Sequence, residues 1–248
     1  MNRLFPIVLL TFSQSASAQE TSLPDLTGRW AQVVVHRSLS AIPVVGEVAS
    51  VTTTRLLVTM QQDGSSVRAT AKVCDMRIIG SKMVRTSIPA AMIRSMPERS
   101  WETTLSRSVA GTKLAPWSRW DVLGATLQRP AEEPLPTRTD DPHVHDQDGD
   151  GHPGVTIAVR GLIDGEVYVT QKGWSELRPE SVTQDRIAGG VVWRQMQTVL
   201  GASSRFLSAG PVTRPDPAPD ANWFVAVRLD ASADCATVNA LPAVRLRR

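Results

Sequence analysis

Apolar and polar residues alternate with a period of two along several segments of this chain, and turn-forming residues separate these segments. Because successive side chains of a strand point to opposite faces, this period predicts antiparallel strands that bury one face. The clearest segment is residues 52–74, in which Asp63-Gly64 predicts a two-residue hairpin turn. Pairing outward from that turn places Met60 opposite Val67 and leaves one face wholly apolar.

The same pattern predicts further strands. A second hairpin covers residues 154–174, where a three-residue loop of residues 163–165 aligns Val159 with Val169. Proline in the first helical position predicts a short helix over residues 90–96. A regular alternation predicts a strand at residues 223–229, and less regular segments predict strands at 30–37, 83–88 and 191–200, the last of which also fits a short helix.

Short antiparallel strands without strand–helix alternation indicate an all-β fold. The sequence predicts one β domain over residues 24–240, either a single antiparallel β-barrel or a two-sheet sandwich. A long Pro/Asp-rich insertion interrupts it at about residues 128–154, because prolines cannot continue a ladder. Residues 241–248 are predicted to form a basic, solvated tail.

The N-terminal segment has the parts of a cleavable signal peptide. One cation, Arg3, precedes an apolar run at residues 4–12, and Ala16-Ser17-Ala18 is the small-residue pattern that a signal peptidase cuts. The run is shorter than the about 20 apolar residues that span a bilayer. We expect cleavage after Ala18 and a secreted or periplasmic protein without a transmembrane segment.

Charge and cysteine content fit this location. Removing the signal peptide lowers the formal net charge from +3 to +2, and the arginines are scattered rather than gathered into a stripe that would follow phosphates. We therefore expect no nucleic-acid partner. Thiols oxidise outside the cytoplasm, so Cys74 and Cys235 are predicted to form a disulfide on the outer face of the sheet, with two separate buried thiols as the alternative.

Residues 146–151 read D-Q-D-G-D-G, with three carboxylates at alternate positions before a glycine. This motif resembles the D-x-D-x-D-G opening of EF-hand, dockerin and thrombospondin-type calcium loops, in which a tight turn directs hard oxygens to one cation. The resemblance implies that Asp146, Asp148 and Asp150 are side-chain calcium ligands and that His152 offers its backbone carbonyl.

The motif departs from a full EF-hand, because Ile157 stands where that loop has its bidentate glutamate. The nearest acids that can supply a further ligand are Asp140, Asp141 and Glu166. We expect a weak structural calcium site with a dissociation constant of about 10⁻⁴ to 10⁻³ M. The alternatives are a metal-free acidic turn and a transition-metal site that uses His143, His145 and His152.

Residues 28–30 form a G-x-W motif that resembles the start of the lipocalin (calycin) superfamily. In that superfamily the tryptophan closes one end of an eight-stranded barrel, and a late arginine packs on it. The resemblance implies these roles for Gly28, Trp30 and Arg228. It also implies an interior that holds a small apolar ligand.

Catalytic patterns such as G-x-S-x-G, H-E-x-x-H and a Gly-rich phosphate loop do not occur in the sequence. His36 is the one histidine outside the acidic segment, and a lone strand histidine is usually a surface or core residue. The sequence thus favours an exported, calcium-stabilised binding protein over an enzyme. The alternatives are a structural or adhesive surface module that contacts a glycan or protein, and an exported hydrolase.

Overall fold

The computed structural model describes residues 22–42, 46–80, 84–109, 111–161, 164–210 and 212–246. The predicted signal peptide at residues 1–18 lies outside this part of the chain, as do Arg247 and Arg248 of the predicted basic tail. Strands dominate the described residues, which confirms the prediction of an all-β fold, and of the two predicted alternatives the structure has the barrel-like one.

Strands, two α-helices and two short 3₁₀ helices make up the regular structure of the described residues. The strands are β1 (Gly28–Ile42), β2 (Gly46–Asp63), β3 (Ser66–Ile79), β4 (Val84–Ser87), β5 (Arg99–Ser108), β6 (Gly111–Leu114), β7 (Trp117–Leu123), β8 (Val155–Gly161), β9 (Gly165–Val182), β10 (Arg186–Ala202), β11 (Val212–Pro215) and β12 (Trp223–Leu229). The helices are α1 (Ala90–Ser95) and α2 (Cys235–Ala240), and the 3₁₀ helices span Arg205–Leu207 and Ala243–Leu246.

The described strands pair in antiparallel fashion in the order β4-β8-β9-β10-β12-β1-β2-β3-β5-β6. Strand β11 pairs with β1, and β7 pairs with β9 beside β8. The sheet curls, so that β6 packs against β9 and β5 packs against β7. The result is a half-barrel with a concave inner face and a convex outer face.

The inner face carries the larger apolar core, which includes a cluster of aromatic rings. Trp117 stacks on Trp101 with their centroids 5.7 Å apart, and it meets the ring of Phe224 edge-on at 5.6 Å. Trp30, at the start of β1, is fully buried in the same core. These rings fill the end of the inner face at which β1 begins. Aromatic side chains bury a large apolar area per residue, so they form much of this part of the core.

A second apolar core lies on the outer face, where Ala31 and Val33 of β1 are buried. Val238 of α2 and Leu246 of the last 3₁₀ helix cover them and are themselves buried. The packed part of the chain therefore continues beyond residue 240, the predicted end of the β domain.

The predicted Cys74–Cys235 disulfide is present, with the two Cα atoms 5.1 Å apart. Cys74 belongs to β3 and packs against the outer core, as the alternation of that strand predicted. Cys235 is the first residue of α2. The amide of Asn239 also donates a hydrogen bond of 3.3 Å to the backbone oxygen of Cys74. The disulfide and this hydrogen bond thus fix α2 to the outer face of the sheet.

The first hairpin has the predicted inner face but a different register. Met60 pairs with Ala69 instead of Val67, and Asp63 remains in the ladder. Gly64, with φ 57°, follows Asp63 and takes the first position of the turn. Glycine is favoured at that position in a type II′ turn. Since the shift is an even number of residues, the same side chains still point inward.

The second hairpin also differs in register, because Val159 pairs with Gly165 and not with Val169. Residue 163, the first of the predicted loop, lies outside the described residues. Gly165 belongs to β9 rather than to a left-handed turn, and a Cβ there would come 2.7 Å from the hydroxyl of Ser203. Val159 and Val169 nevertheless share the inner core, as predicted.

The remaining predicted elements have the positions that the structure shows, but their lengths differ. Strand β12 coincides with the prediction for residues 223–229, and α1 lies within the predicted helix. Residues 191–200 belong to the long strand β10, so the helical alternative for them is wrong.

Candidate functional site

The Pro/Asp-rich insertion is held against β9 by contacts to its backbone carbonyls. Lys172 donates hydrogen bonds from Nζ to the carbonyls of Pro130, at 3.0 Å, and Glu133. Thr170 donates a weaker bond of 3.4 Å to the carbonyl of Pro136. Both β9 side chains are almost inaccessible, so the insertion covers the face of β9 that points away from the inner core.

Backbone bonds fix the last part of the insertion to the start of β8. Gly154 donates to the carbonyl of His145 at 3.1 Å and accepts a bond of 3.0 Å from the N–H of Gln147. The side chain of Gln147 accepts a bond of 2.7 Å from Gly124. Gly154 has φ +88°, and a Cβ on it would lie 2.3 Å from the oxygen of Val169, so the close approach requires glycine.

This anchorage brings the three predicted carboxylates together. Asp146, Asp148 and Asp150 each offer an oxygen atom within 4.8 Å of the others. Asp146 accepts backbone hydrogen bonds from Gly149 at 2.8 Å and Gly151 at 2.8 Å, and these bonds hold its pKa below the ordinary value. The loop therefore presents a cluster of hard oxygen donors that can hold a metal ion.

Asp148 lies deepest in this cluster. Its Oδ2 accepts the N–H of Thr156 at 3.0 Å, whereas its Oδ1 is shielded from solvent and has no hydrogen-bond partner among the described residues. Burial raises the pKa of Asp148 above the ordinary value, and the negative charges of Asp150 and Asp146 act in the same direction. An orphaned carboxylate oxygen of this kind is unfavourable unless a proton or a cation satisfies it.

The further acids considered from the sequence have other partners. Asp140 forms an ion pair of 2.5 Å with Arg138, and Asp141 accepts hydrogen bonds from the backbone and the ring of His143. Neither belongs to the three-carboxylate cluster, nor does Glu166. In the described ranges, the metal-ligand group is made of aspartates alone.

The histidines proposed for a transition-metal site are not gathered into one ligand group. His143 is hydrogen-bonded to Asp141, and the ring of His152 stacks on Tyr168 with their centroids 3.9 Å apart. The N–H of His152 donates to Asp150 at 2.9 Å. The geometry thus favours an oxygen-ligated ion over one bound by imidazoles.

The residues of the G-x-W motif meet the late arginine. The guanidinium carbon of Arg228 lies 4.7 Å from the centroid of the Trp30 ring, and the indole N–H of Trp30 donates to the oxygen of Leu26 at 2.9 Å. Gly28 has φ +136°, and a Cβ on it would lie 2.9 Å from Nη1 of Arg228. These contacts form one packed end of the half-barrel.

A cavity of about 400 Å³ opens on the inner face, beyond the aromatic cluster. Serine and threonine side chains of β1 and β2 line one side of it, among them Ser38, Ser50 and Thr52. The apolar part of the lining comes from several elements and includes Leu56, Met76, Met92, Ile157, Val159 and Leu207.

The cavity lining also includes ionisable residues that were not predicted as site residues, among them His36, Arg99, Arg119 and Asp121. The Nε atoms of Arg99 and Arg119 each lie 3.1 Å from the carboxylate of Asp121. The Arg99 side chain is only 10% exposed. Burial lowers the pKa of Arg99 to about 10, so it remains a cation at neutral pH.

His36 lies on the inner face of β1, beside the ring of Trp193 at 5.2 Å between centroids. Its Nε2 is shielded from solvent and has no hydrogen-bond partner in the part of the chain that the structure describes. Burial lowers the pKa of His36 to about 4, and the positive charges of Arg119 and Arg99 act in the same direction. The imidazole is therefore neutral over the physiological pH range.

The alternation of β5 and β7 contains a signal that identifies the charged residues. Arg99 is in phase with the buried Trp101, and Arg119 and Asp121 are in phase with the buried Trp117. A charged side chain in phase with core residues of a strand predicts an internal polar site, because an unpaired charge is rarely buried.

No family model, no curated protein and no solved structure matches this chain. None of the helices in the described part of the chain has the length and hydrophobicity that a membrane crossing requires.

Proposed function

We propose that this protein is an exported binding protein that holds a small, largely apolar ligand in the cavity of its half-barrel. The observation that carries the proposal is the cavity of about 400 Å³ on the concave face. Small-ligand sites commonly measure about 300 to 1,000 Å³ and combine apolar walls with a few well-placed polar groups. The cavity has both features.

Export is supported by two independent features of the chain. The signal-peptide pattern at residues 1–18 predicts translocation, and the Cys74–Cys235 disulfide is of the kind that persists in oxidising compartments. The proposed location is therefore the periplasm or the extracellular space, with cleavage after Ala18.

We also propose that the acidic loop binds calcium through Asp146, Asp148 and Asp150. Three carboxylates without nitrogen or sulfur ligands suit a hard cation, and the orphaned Oδ1 of Asp148 gains a partner when an ion binds. The ion would offset the mutual repulsion of the carboxylates. Its role is structural, since it would hold the insertion to the start of β8.

A hydrolase accounts for the cavity less well. Nucleophilic catalysis needs a nucleophile and a base within hydrogen-bond reach of each other. In the described ranges Nε2 of His36 has no such partner, and Asp121 is engaged with two arginines. A binding function explains the same residues and requires no nucleophile–base pair.

The proposal is tested with a neutral, environment-sensitive dye such as Nile red and two variants of one strand. Thr52 lines the cavity, so Thr52→Trp fills it and should abolish the rise in dye fluorescence. Thr59 is exposed on the outer face of the same strand, so Thr59→Trp should bind the dye as the unaltered protein does. Equal binding by both variants would place the dye elsewhere and contradict the proposal.

A further inference from the structure

The positive and negative charges of the side chains in the cavity wall do not cancel. Arg99 and Arg119 contribute two positive charges, and Asp121, their shared partner, contributes one negative charge. His36 is neutral at physiological pH because its pKa is lowered to about 4. A third arginine of the lining, Arg194, is exposed and lies over two tryptophan rings. Within the described residues, the shielded part of the cavity wall around Arg99, whose side chain is only 10% exposed, therefore carries one net positive charge.

The two guanidinium groups have donors to spare. Each arginine has five N–H donors, and each uses its Nε to bind Asp121. In the part of the chain that the structure describes, Asp121 is the ion-pair partner of both arginines, and both side chains line the cavity. Among the described residues, the shielded Nε2 of His36 also has no hydrogen-bond partner.

Such an arrangement is unfavourable without a counter-ion. A charge removed from bulk water loses hydration, and it recovers that loss only through an opposite charge with good hydrogen bonds. A carboxylate suits a guanidinium best, because the planar fork binds its two oxygens with parallel hydrogen bonds. One carboxylate would also neutralise the single excess positive charge.

The rest of the cavity is apolar on the side formed by α1, β8 and the first 3₁₀ helix. Met92 approaches from α1 and Met96 from the C-cap position that follows it. Ile157 and Val159 approach from β8, and Leu207 from the 3₁₀ helix. This side can bury a hydrocarbon chain, and methionine side chains adapt readily to the shape of such a chain. The cavity thus joins an anion-binding wall to an apolar one.

We propose that the ligand is an amphipathic monoanion, whose carboxylate binds Arg99 and Arg119 and whose hydrocarbon chain lies against the apolar side. Asp121 is a positioning residue that holds the two guanidinium groups beside each other. This inference rests on the proposed function, because it names the class of ligand for the same cavity.

The first test compares three probes of equal chain length on the unaltered protein, each below its aggregation limit. These probes are decanoate, decanol and decyltrimethylammonium, and their binding is measured directly by isothermal titration calorimetry. Decanoate should bind about ten- to a hundredfold more tightly than decanol, as expected for charge-assisted hydrogen bonds. The cationic probe should bind most weakly.

The second test removes one charge from the wall. Arg119→Gln should abolish the preference for decanoate over decanol and change the affinity for decanol less than about twofold. The control is Arg68→Gln, because Arg68 is exposed and pairs with Glu102 at 2.8 Å on the surface. That control should retain the full preference.

The outcomes separate the inference from the proposed function. Equal affinities for decanoate and decanol, or a preference that survives Arg119→Gln, would overturn the anionic ligand and leave a binding cavity. Failure of the dye and of all three probes to bind would contradict the proposed function and the inference together. The probe series on the unaltered protein gives this answer even if Arg119→Gln does not fold.

Discussion

The guanidinium of Arg228 lies over the ring of Trp30, 4.7 Å from its centroid, and ties three separate segments together. It donates hydrogen bonds to the backbone oxygens of Thr27 at 2.6 Å and Gln184 at 2.8 Å. Trp30 itself is fully buried. This contact joins the first strand, the turn before β10 and the last strand at the filled end of the half-barrel.

Substituting Arg228 with alanine should lower the free energy of unfolding by about 1 to 3 kcal/mol, because it removes a cation–π contact and leaves three backbone carbonyls without their donor. Denaturant titration followed by tryptophan fluorescence measures this change. The exposed Arg68 gives the control, since Arg68→Ala should cost less than about 0.5 kcal/mol. Equal effects of the two substitutions would show that the contact with Trp30 adds no stability.

Replacing both cysteines by serine should lower the free energy of unfolding by about 2 to 5 kcal/mol, since Cys74 and Cys235 are 161 residues apart and the bond restricts the unfolded chain. Amide hydrogen exchange should show the largest loss of protection in α2, which the bond fixes to the sheet. Unchanged protection of α2 would mean that apolar packing alone holds this helix.

Calcium should bind the chelator-treated protein with a dissociation constant of about 10⁻⁴ to 10⁻³ M, because the loop supplies three carboxylates and no bidentate glutamate. At ten times that concentration the ion should add about 1.4 kcal/mol to stability. Isothermal titration calorimetry measures the affinity, and Asp148→Asn should abolish the binding.

The matched control for the metal site is Asp63→Asn, which alters the exposed last residue of β2 and should leave calcium binding unchanged. Calcium binding that survives Asp148→Asn would show that the acidic loop is an ordinary turn and not the calcium site. A zinc affinity far above the calcium affinity would revive the histidine ligand set and contradict the oxygen-ligated site.

Acid should weaken the protein partly through His36. Its pKa is about 4 in the folded state against about 6.5 unfolded, so the unfolded chain binds the proton more readily between these pH values. The stability contribution is complete above pH 6.5 and is lost as the pH falls towards 4. Because solvent partly reaches the ring, we expect a loss of about 1 to 3 kcal/mol.

Denaturant titrations between pH 7 and pH 4 test this effect by comparing the protein with two variants. His36→Gln cannot take up the proton, so its stability should fall less over this interval. His145→Gln alters an exposed histidine and should retain the full pH dependence. Parallel curves for all three proteins would exclude a contribution from His36.

The sequence predicts the strands well where turn chemistry and alternation agree. The face of each predicted hairpin follows from side-chain alternation, whereas its register depends on one or two turn residues. Gly64 takes the first turn position instead of the second, and this alone shifts the pairing of Met60 by two residues. A register shift of two residues leaves the same side chains on the buried face, so the burial pattern cannot reveal the shift.

The two sites differ in how much of them a sequence can reveal. The carboxylates of the acidic loop are neighbours in the chain, and local turns bring them together. The imidazole and the charged groups proposed to meet the ligand come from three separate strands. His36 belongs to β1, Arg99 to β5, and Arg119 and Asp121 to β7. Their meeting depends on how the sheet curls, which no local pattern encodes.

The measurement that tests the account most directly is the mapping of backbone amide shifts by nuclear magnetic resonance while decanol is added. The largest shifts should occur at cavity residues such as His36, Thr54 and Trp193, and the outer core at Ala31 and Val238 should not respond. Shifts confined to the outer face, or none at saturating decanol, would contradict a ligand-binding cavity in the half-barrel.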